Sequence, residues 1–210
     1  MIEAKVQKRL GQFQLAVDFS SSGITCLAGR NGSGKTSLLK VIAGFLQVDE
    51  GYVKIGSVDV TRLPVEKRGV VMVTPTSFFP HLDVDSHIGW GARLKGKRLR
   101  GEETARIKSE LGIDFGGPVR NLSVGMRERV ALATALFASP KAILVDETFA
   151  NLHEKEDFIA SYGRLVTGEG IDLIFTSQDE ADGKLADNLY LMSNGSTSRK
   201  YNGKDNAQIV

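Results

Sequence analysis

Apolar positions along the chain switch between two periods. In FQLAVDF (13–19), Phe13, Leu15, Val17 and Phe19 fall on alternate positions, which predicts a half-buried strand. GITCLAG predicts a short buried strand after it. Past a glycine-rich stretch, TSLLKVIAGF changes period: Leu38, Leu39, Val41, Ile42 and Phe45 recur at helical spacing, with Gly44 near the stop. GYVKIGSVDV carries strand signals around a glycine turn, and GVVMV (69–73) is a compact apolar strand.

From about 75 to 135 the pattern becomes helical and richer in glycine and charge. GEETARIKSELGI places Ala105, Ile107 and Leu111 on an amphipathic helix. SVGMRERVALATALFA (123–138) predicts a stronger helix with Ser123 as its N-cap. Strand patterns return in AILV (142–145), IDLIFTS (171–177) and NLYLM (188–192), and the helix between the first two offers Phe158, Ile159, Tyr162 and Leu165 to a core. Apolar strands alternating with helices imply a parallel sheet covered on both faces. The tail NGSTSRKYNGKDNAQIV is polar and poorly patterned, and part of it is expected to be disordered.

Composition narrows the class. The 210 residues suffice for one large domain, and 41% hydrophobic with 25% charged residues is ordinary for a soluble globular protein. A net charge of +2 calls for no polyelectrolyte partner, and no nucleic acid is expected. The single cysteine, Cys26, is read as a packing residue. No apolar run approaches the ~20 residues of a membrane-spanning helix, and MIEAKVQKRL lacks the apolar stretch of a signal peptide. The expected location is cytoplasmic, with any membrane attachment made through a partner.

The glycine-rich stretch carries the first chemistry. Gly29-Arg30-Asn31-Gly32-Ser33-Gly34-Lys35-Thr36 matches G-x-x-x-x-G-K-[ST] in full, between a predicted strand and a predicted helix. Glycines let the backbone curl so that several N–H groups face one anion, and the helix adds its positive end. Asn31 to Ser37 are therefore candidate ATP contacts: Asn31, Gly32, Ser33, Gly34, Lys35, Thr36 and Ser37. Lys35 supplies charge to the outer phosphates, and the Thr36 hydroxyl is placed to ligate Mg²⁺. AILVDET supplies what phosphoryl transfer needs in addition: Asp146 at the end of an apolar strand for the metal, and Glu147 to orient or deprotonate the attacking water.

Many folds carry such a loop. The discriminating stretch is NLSVGMRERVALATALFASPKAILVDET (121–148), which resembles the signature region of ABC-type ATPases. The resemblance runs from about residue 3 to 195. Within the family, VQKRLGQFQLAVDF, LPVEKRGVVMV and FFPHLDVDSHIGWG look like the ATPase subunits of molybdate/tungstate-type and related importers. It implies an α/β P-loop NTPase sandwich with an antiparallel β edge and an inserted helical sub-domain at about 75–135. A single domain over 1–210 is expected, without a C-terminal regulatory domain. It also implies head-to-tail pairing of two ATPase domains, as a homodimer or with a related ATPase. Ser123 and Gly125 of one domain would complete the other's nucleotide site. Transmembrane permease subunits would hold the pair on the inner face of the membrane.

Against the family pattern, several positions differ. Leu10, with Phe13 nearby, stands where an aromatic residue stacks on adenine. Val124 and Met126 replace a glycine and a glutamine of the signature. Thr74 or Pro75 stands at a glutamine position, His153 at an aspartate position, and Ser177 where a histidine contacts the γ-phosphate. His153 is a candidate for a polar contact across the dimer. The function implied is Mg-ATP hydrolysis coupled to import of molybdate, tungstate or a related anion, with Ser177 at a catalytic position beside Glu147 and Lys35. The alternatives are an ATP-gated dimerisation module with little hydrolysis and a non-transport ABC ATPase.

Three further features are weighed. The basic run ARLKGKRLRG (92–101), with Arg93, Lys95, Lys97, Arg98 and Arg100, reads as a solvated face. Phe78 and Phe79 read either as core or as an anchor in the groove that receives a permease helix. His81 and His87 lack a metal-site constellation and read as surface or capping residues.

Overall fold

A computed structural model describes residues 1–94, 96 and 101–202. Lys95, Lys97, Arg98 and Arg100 of the basic run, and the tail from 203, lie outside the described residues. The expected α/β sandwich forms, built on two sheets. Strands β1 (Ile2–Leu10), β2 (Phe13–Ser21), β4 (Glu50–Ile55) and β5 (Val58–Asp59) make an antiparallel sheet in the order β2-β1-β4-β5. The larger sheet runs β10-β9-β3-β8-β7-β6, comprising β3 (Ile24–Ala28), β6 (Val70–Val73), β7 (Ala142–Val145), β8 (Asp172–Ser177), β9 (Asn188–Ser193) and β10 (Ser196–Asn202). All its pairings are parallel except that of β10 with β9.

Successive side chains on a strand face opposite ways, and the core follows that rule. Cys26, Ile143, Val145, Leu173 and Phe175 join a cluster with the helices of one side. Leu27, Ala142, Leu144 and Ile174 join a second cluster, packed with β1, β2, β4 and helix α1 (Lys35–Ala43) between the two sheets. Arg68 is buried beneath α1 and donates to the carbonyls of Val41 and Ile42 at 2.9 and 3.1 Å, reinforcing the Gly44 amide on the first of these helix-end acceptors. Burial pushes the Cys26 thiol up to about 12, with the nearby Asp182 carboxylate adding to the effect. Its reading as a packing residue fits.

The helical part comprises α2 (Val84–Arg93), α3 (Gly101–Glu110) and α4 (Val124–Phe137), and its apolar residues run without a break into the cluster under the sheet. At Gly91 a Cβ would meet the Thr134 carbonyl at 2.0 Å, so α2 and α4 cross this closely only because the residue is glycine. Helix α5 (Lys155–Gly168) places Phe158, Ile159, Tyr162 and Leu165 in the core, as the pattern predicts.

Three expectations are corrected. Helix α1 ends at Ala43, because Gly44 turns left-handed (φ 92°). Phe45 therefore leaves the apolar stripe and is 63% exposed. Ala105 faces solvent, since only Ile107 and Leu111 reach the core. His87 is buried, not a surface residue.

Among the described residues no helix is long and apolar enough to cross a membrane. Because β3, β6, β7 and β8 run parallel, their C-terminal ends lie along one edge. That edge collects residues 29–37, Thr74, Asp146–Glu147 and Ser177, the side on which open α/β sheets bind ligands.

Candidate functional site

The loop after β3 owes its shape to glycine. Gly32 and Gly34 take φ of 75° and 111°, and a Cβ at Gly34 would meet the Phe13 ring at 2.9 Å. The close approach brings β2 to the loop. Leu10, Phe13, Asn31, Gly32, Gly34, Lys35, Thr36, Ser37 and Glu147 line one cavity of about 400 Å³. Ser33 lies on the loop's other side, lining a second cavity of about 530 Å³ with Gln178 and Glu180; its buried hydroxyl oxygen has no protein partner.

Lys35 is 4% exposed, and its ammonium donates to the carbonyls of Gly29 and Arg30 at 2.6 and 3.1 Å. Burial draws its pKa below the usual lysine range, while the Glu147 and Asp146 carboxylates pull the other way. The ammonium thus sits folded into the loop, with the first-turn amides of α1 beside it lacking intrahelical acceptors.

Asp146 and Glu147 are held by a residue that sequence reasoning missed. The Thr176 hydroxyl donates to Asp146 Oδ1 at 3.1 Å and accepts from the Glu147 amide at 2.9 Å. Glu147 takes a left-handed φ of 55°, a conformation that costs energy for a side chain other than glycine and is held here from both sides. The signal available in the sequence was a threonine at the end of the neighbouring strand pattern. Asp146 is buried, and Thr36 lines the cavity beside Glu147. These hard oxygen donors fit Mg²⁺, which takes few protein ligands and keeps phosphate and water as the rest. The described residues hold no cluster of three or more acidic, histidine or cysteine ligands, so a cation here would depend on such additional donors.

Ser177 stands beside the loop, where its carbonyl accepts from the Gly29 amide at 3.0 Å. Its hydroxyl is nevertheless committed elsewhere: it donates to Asp182, which also pairs with Lys155, and accepts from the Asp179 amide at 3.0 Å. It does not line the cavity of Lys35 and Glu147, contrary to the expected catalytic placement. Thr74 is partly buried, its hydroxyl 3.0 Å from Ser77 Oγ and 3.1 Å from Thr76 Oγ1, and Pro75 faces solvent.

Ser123 caps α4 by accepting from the Met126 amide at 3.3 Å, as its position predicts. Neither Ser123 nor Gly125 lines the cavity. A Cβ at Gly125 would lie 3.2 Å from the Asn151 carbonyl, so the start of α4 packs on the turn after Glu147. Val124 is 46% exposed on the helix end, and His153 is also exposed. Phe78 packs on the core under the Arg127 guanidinium, 4.7 Å away, as its core reading expects, while Phe79 is exposed beside Trp90 and His87. His87 Nδ1 lies 2.8 Å from Thr134 Oγ1 inside the α2–α4 contact, and burial lowers its pKa.

A family model described as "ABC transporter" matches residues 13–150. Molybdenum import ATP-binding protein ModC of Rhizobium meliloti (strain 1021) is 35% identical over 207 residues, covering 92% of this chain and 58% of that protein, so the chain spans little more than half of this relative. Molybdate/tungstate import ATP-binding protein WtpC of Archaeoglobus fulgidus is 35% identical over 202 residues, covering 92% and 84%. The sulfate/thiosulfate import ATP-binding protein CysA of Mycolicibacterium paratuberculosis is 34% identical, covering 97% and 61%. A solved dimeric ATP-binding cassette in a post-hydrolysis state, bound to ADP and Pi, superposes with a TM-score of 0.80 at 20% identity, over 97% of this chain and 99% of that one, which is a likeness of fold.

Proposed function

The chain belongs to the ABC transporter family, and from that premise we propose that it is the ATP-hydrolysing subunit of an importer, working as a pair of ATPase domains on membrane permease subunits. The observation that carries the reading is the shared cavity. Lys35, Thr36 and the glycine loop line it together with Glu147, so a phosphate grip and a base for water face the same space. In this reading Asn31, Gly32, Gly34, Thr36 and Ser37 surround the phosphates, and Lys35 leaves its loop carbonyls to meet their charge. Leu10 and Phe13 offer apolar surface to the base. Ser33 contributes from behind the loop. Glu147 orients the attacking water and accepts its proton, with ADP as the leaving group.

Thr36 and Asp146 would hold Mg²⁺, which supplies charge neutralisation on the phosphates when bound. Ser123 and Gly125, which do not line this chain's own cavity, would serve the nucleotide of the partner domain. The relatives' names point to small oxyanions as the solute class, with molybdate and tungstate first.

A second reading has its own support. The Ser177 hydroxyl gives its hydrogen to Asp182, and the Thr74 hydroxyl lies 3.0 Å from Ser77 Oγ, so both positions at the loop's edge already have protein partners. A module that binds ATP and pairs, with little hydrolysis, would look the same. The deciding experiment measures steady-state hydrolysis with Mg²⁺ beside ATP binding, for wild type and Glu147→Gln, alone and with candidate permeases. Turnover that vanishes in the variant while binding persists supports the ATPase. Undiminished hydrolysis in Glu147→Gln overturns the assignment. Binding without turnover, even with a permease, leaves the pairing module.

A further inference from the structure

One buried carboxylate has no part in the site described so far. Glu128, on the second turn of α4, is 1% exposed. Its Oε1 accepts from Asn151 Nδ2 at 2.8 Å, and its Oε2 is buried without a protein partner. Burying a charge in this way is costly, and a buried polar atom left unpaired calls for a reason. Desolvation raises the Glu128 pKa, with the Asn151 hydrogen bond and the Arg127 charge opposing it.

Location supplies the reason. Asn151 ends the short turn Thr148–Asn151 that starts immediately after Glu147. Two other contacts join this stretch to the same helix: the close approach of Gly125 to the Asn151 carbonyl and, two residues beyond the turn, a 3.4 Å bond from Arg129 to the His153 carbonyl. Arg129 is itself anchored on the Leu111 carbonyl at 2.7 Å and over the Phe158 ring at 4.7 Å. Of the three ties, the Glu128–Asn151 bond is the one made between two side chains, and it is shielded from solvent on the Glu128 side.

We propose that Glu128 is a positioning residue. Through Asn151 it fastens the turn that begins at Glu147 to the helix that Ser123 and Gly125 open. The carboxylate serving one nucleotide and the helix end offered to the next then move as one piece. The consequence for turnover rests on the ATPase reading; the brace itself does not.

The test uses the full chain with Glu128→Leu, Glu128→Gln and Asn151→Ala, read by amide exchange over 147–153, by kcat and KM for ATP, and by thermal melting. Glu128→Leu keeps the volume and removes the acceptor. It should speed exchange in 147–153 and lower kcat, each about five- to tenfold, the worth of an ordinary hydrogen bond, with KM within about twofold. Glu128→Gln still presents a carbonyl to Asn151 and should retain wild-type exchange and kcat. Asn151→Ala breaks the bond from its exposed side and should reproduce the loss, which keeps the test decisive if Glu128→Leu fails to fold. Unchanged exchange in Asn151→Ala, or faster exchange with unchanged kcat, overturns the proposal. A wild type that never hydrolyses ATP counts against the ATPase reading; faster exchange in the variants would then still establish the brace.

Discussion

The glycine loop and the strand ends beside it treat polar groups in opposite ways. In the loop, Gly32 and Gly34 hold backbone that a side chain would strain, α1 begins with unpaired amides, and Lys35 is folded onto carbonyls from which an anion can draw it. At the ends of β6 and β8 the hydroxyls are already used: Thr74 on Ser77 and Thr76, Ser177 on Asp182. The first region keeps open the hydrogen-bonding capacity that a ligand needs; the second spends its capacity on structure. On the proposed function, gripping a nucleotide and sensing its last phosphate would be separable tasks in this chain, and substitutions can ask how far apart they are.

The largest effect is expected in the open region. Lys35→Ala removes the only cation lining the cavity among the described residues. A charge-assisted bond to phosphate contributes about 1.5–3 kcal/mol, so ATP affinity should fall roughly 10- to 100-fold. Turnover should fall by a further factor of about 10² or more, since the same ammonium faces charge that builds in the transition state. Equilibrium binding of a fluorescent ATP analogue reads the first number. Retained affinity would mean that the backbone amides alone hold the phosphates, and the contrast between the regions would lose its chemical basis.

That contrast also explains what the sequence made legible. The loop is a local object: eight consecutive residues fix its backbone and its charge, so spacing alone revealed it. Asp146 and Glu147 were visible because an apolar strand ends on them. Thr176 was not, because its partners lie about 30 residues away and meet it only when β7 and β8 pair. The commitment of Ser177 to Asp182 was hidden for a related reason, since Asp182 falls in a polar stretch whose fold as a tight turn (Glu180–Leu185) leaves no periodic mark. Strand β1 did carry alternation in Ile2, Ala4 and Val6, all buried, but its second half is too polar to stand out. His87 could not be placed by composition, because histidine is at home both inside and outside.

Thr176→Val tests whether the carboxylates belong to the open region or to the structured one. The variant keeps the shape and deletes the hydroxyl that Asp146 and the Glu147 amide share. An unsatisfied amide in this partly buried place should cost about 1–3 kcal/mol of stability, and turnover should drop about tenfold while ATP affinity changes little. A drop in affinity as large as that of Lys35→Ala would show that the carboxylates take part in the grip itself.

The smallest effect on chemistry is expected at Ser177, which makes it the sharpest test of the closed region. Ser177→Ala deletes a hydroxyl that gives its hydrogen to Asp182 and receives one from the Asp179 amide. Asp182 keeps Lys155 as a partner, so the carboxylate is not stranded. The loss should be near 1 kcal/mol, a fall in melting temperature of about 2–4 °C for a chain of this size. Turnover should stay within about twofold of wild type, because the hydroxyl does not face the cavity. Had it contacted the γ-phosphate, its removal would cost about 10² or more in rate, as loss of an oxyanion donor does. The two outcomes differ by at least fiftyfold in the same assay. A large loss of rate with an unchanged melting temperature would show that nucleotide binding releases Ser177 from Asp182, and that the strand end closed in this structure opens when the loop is filled.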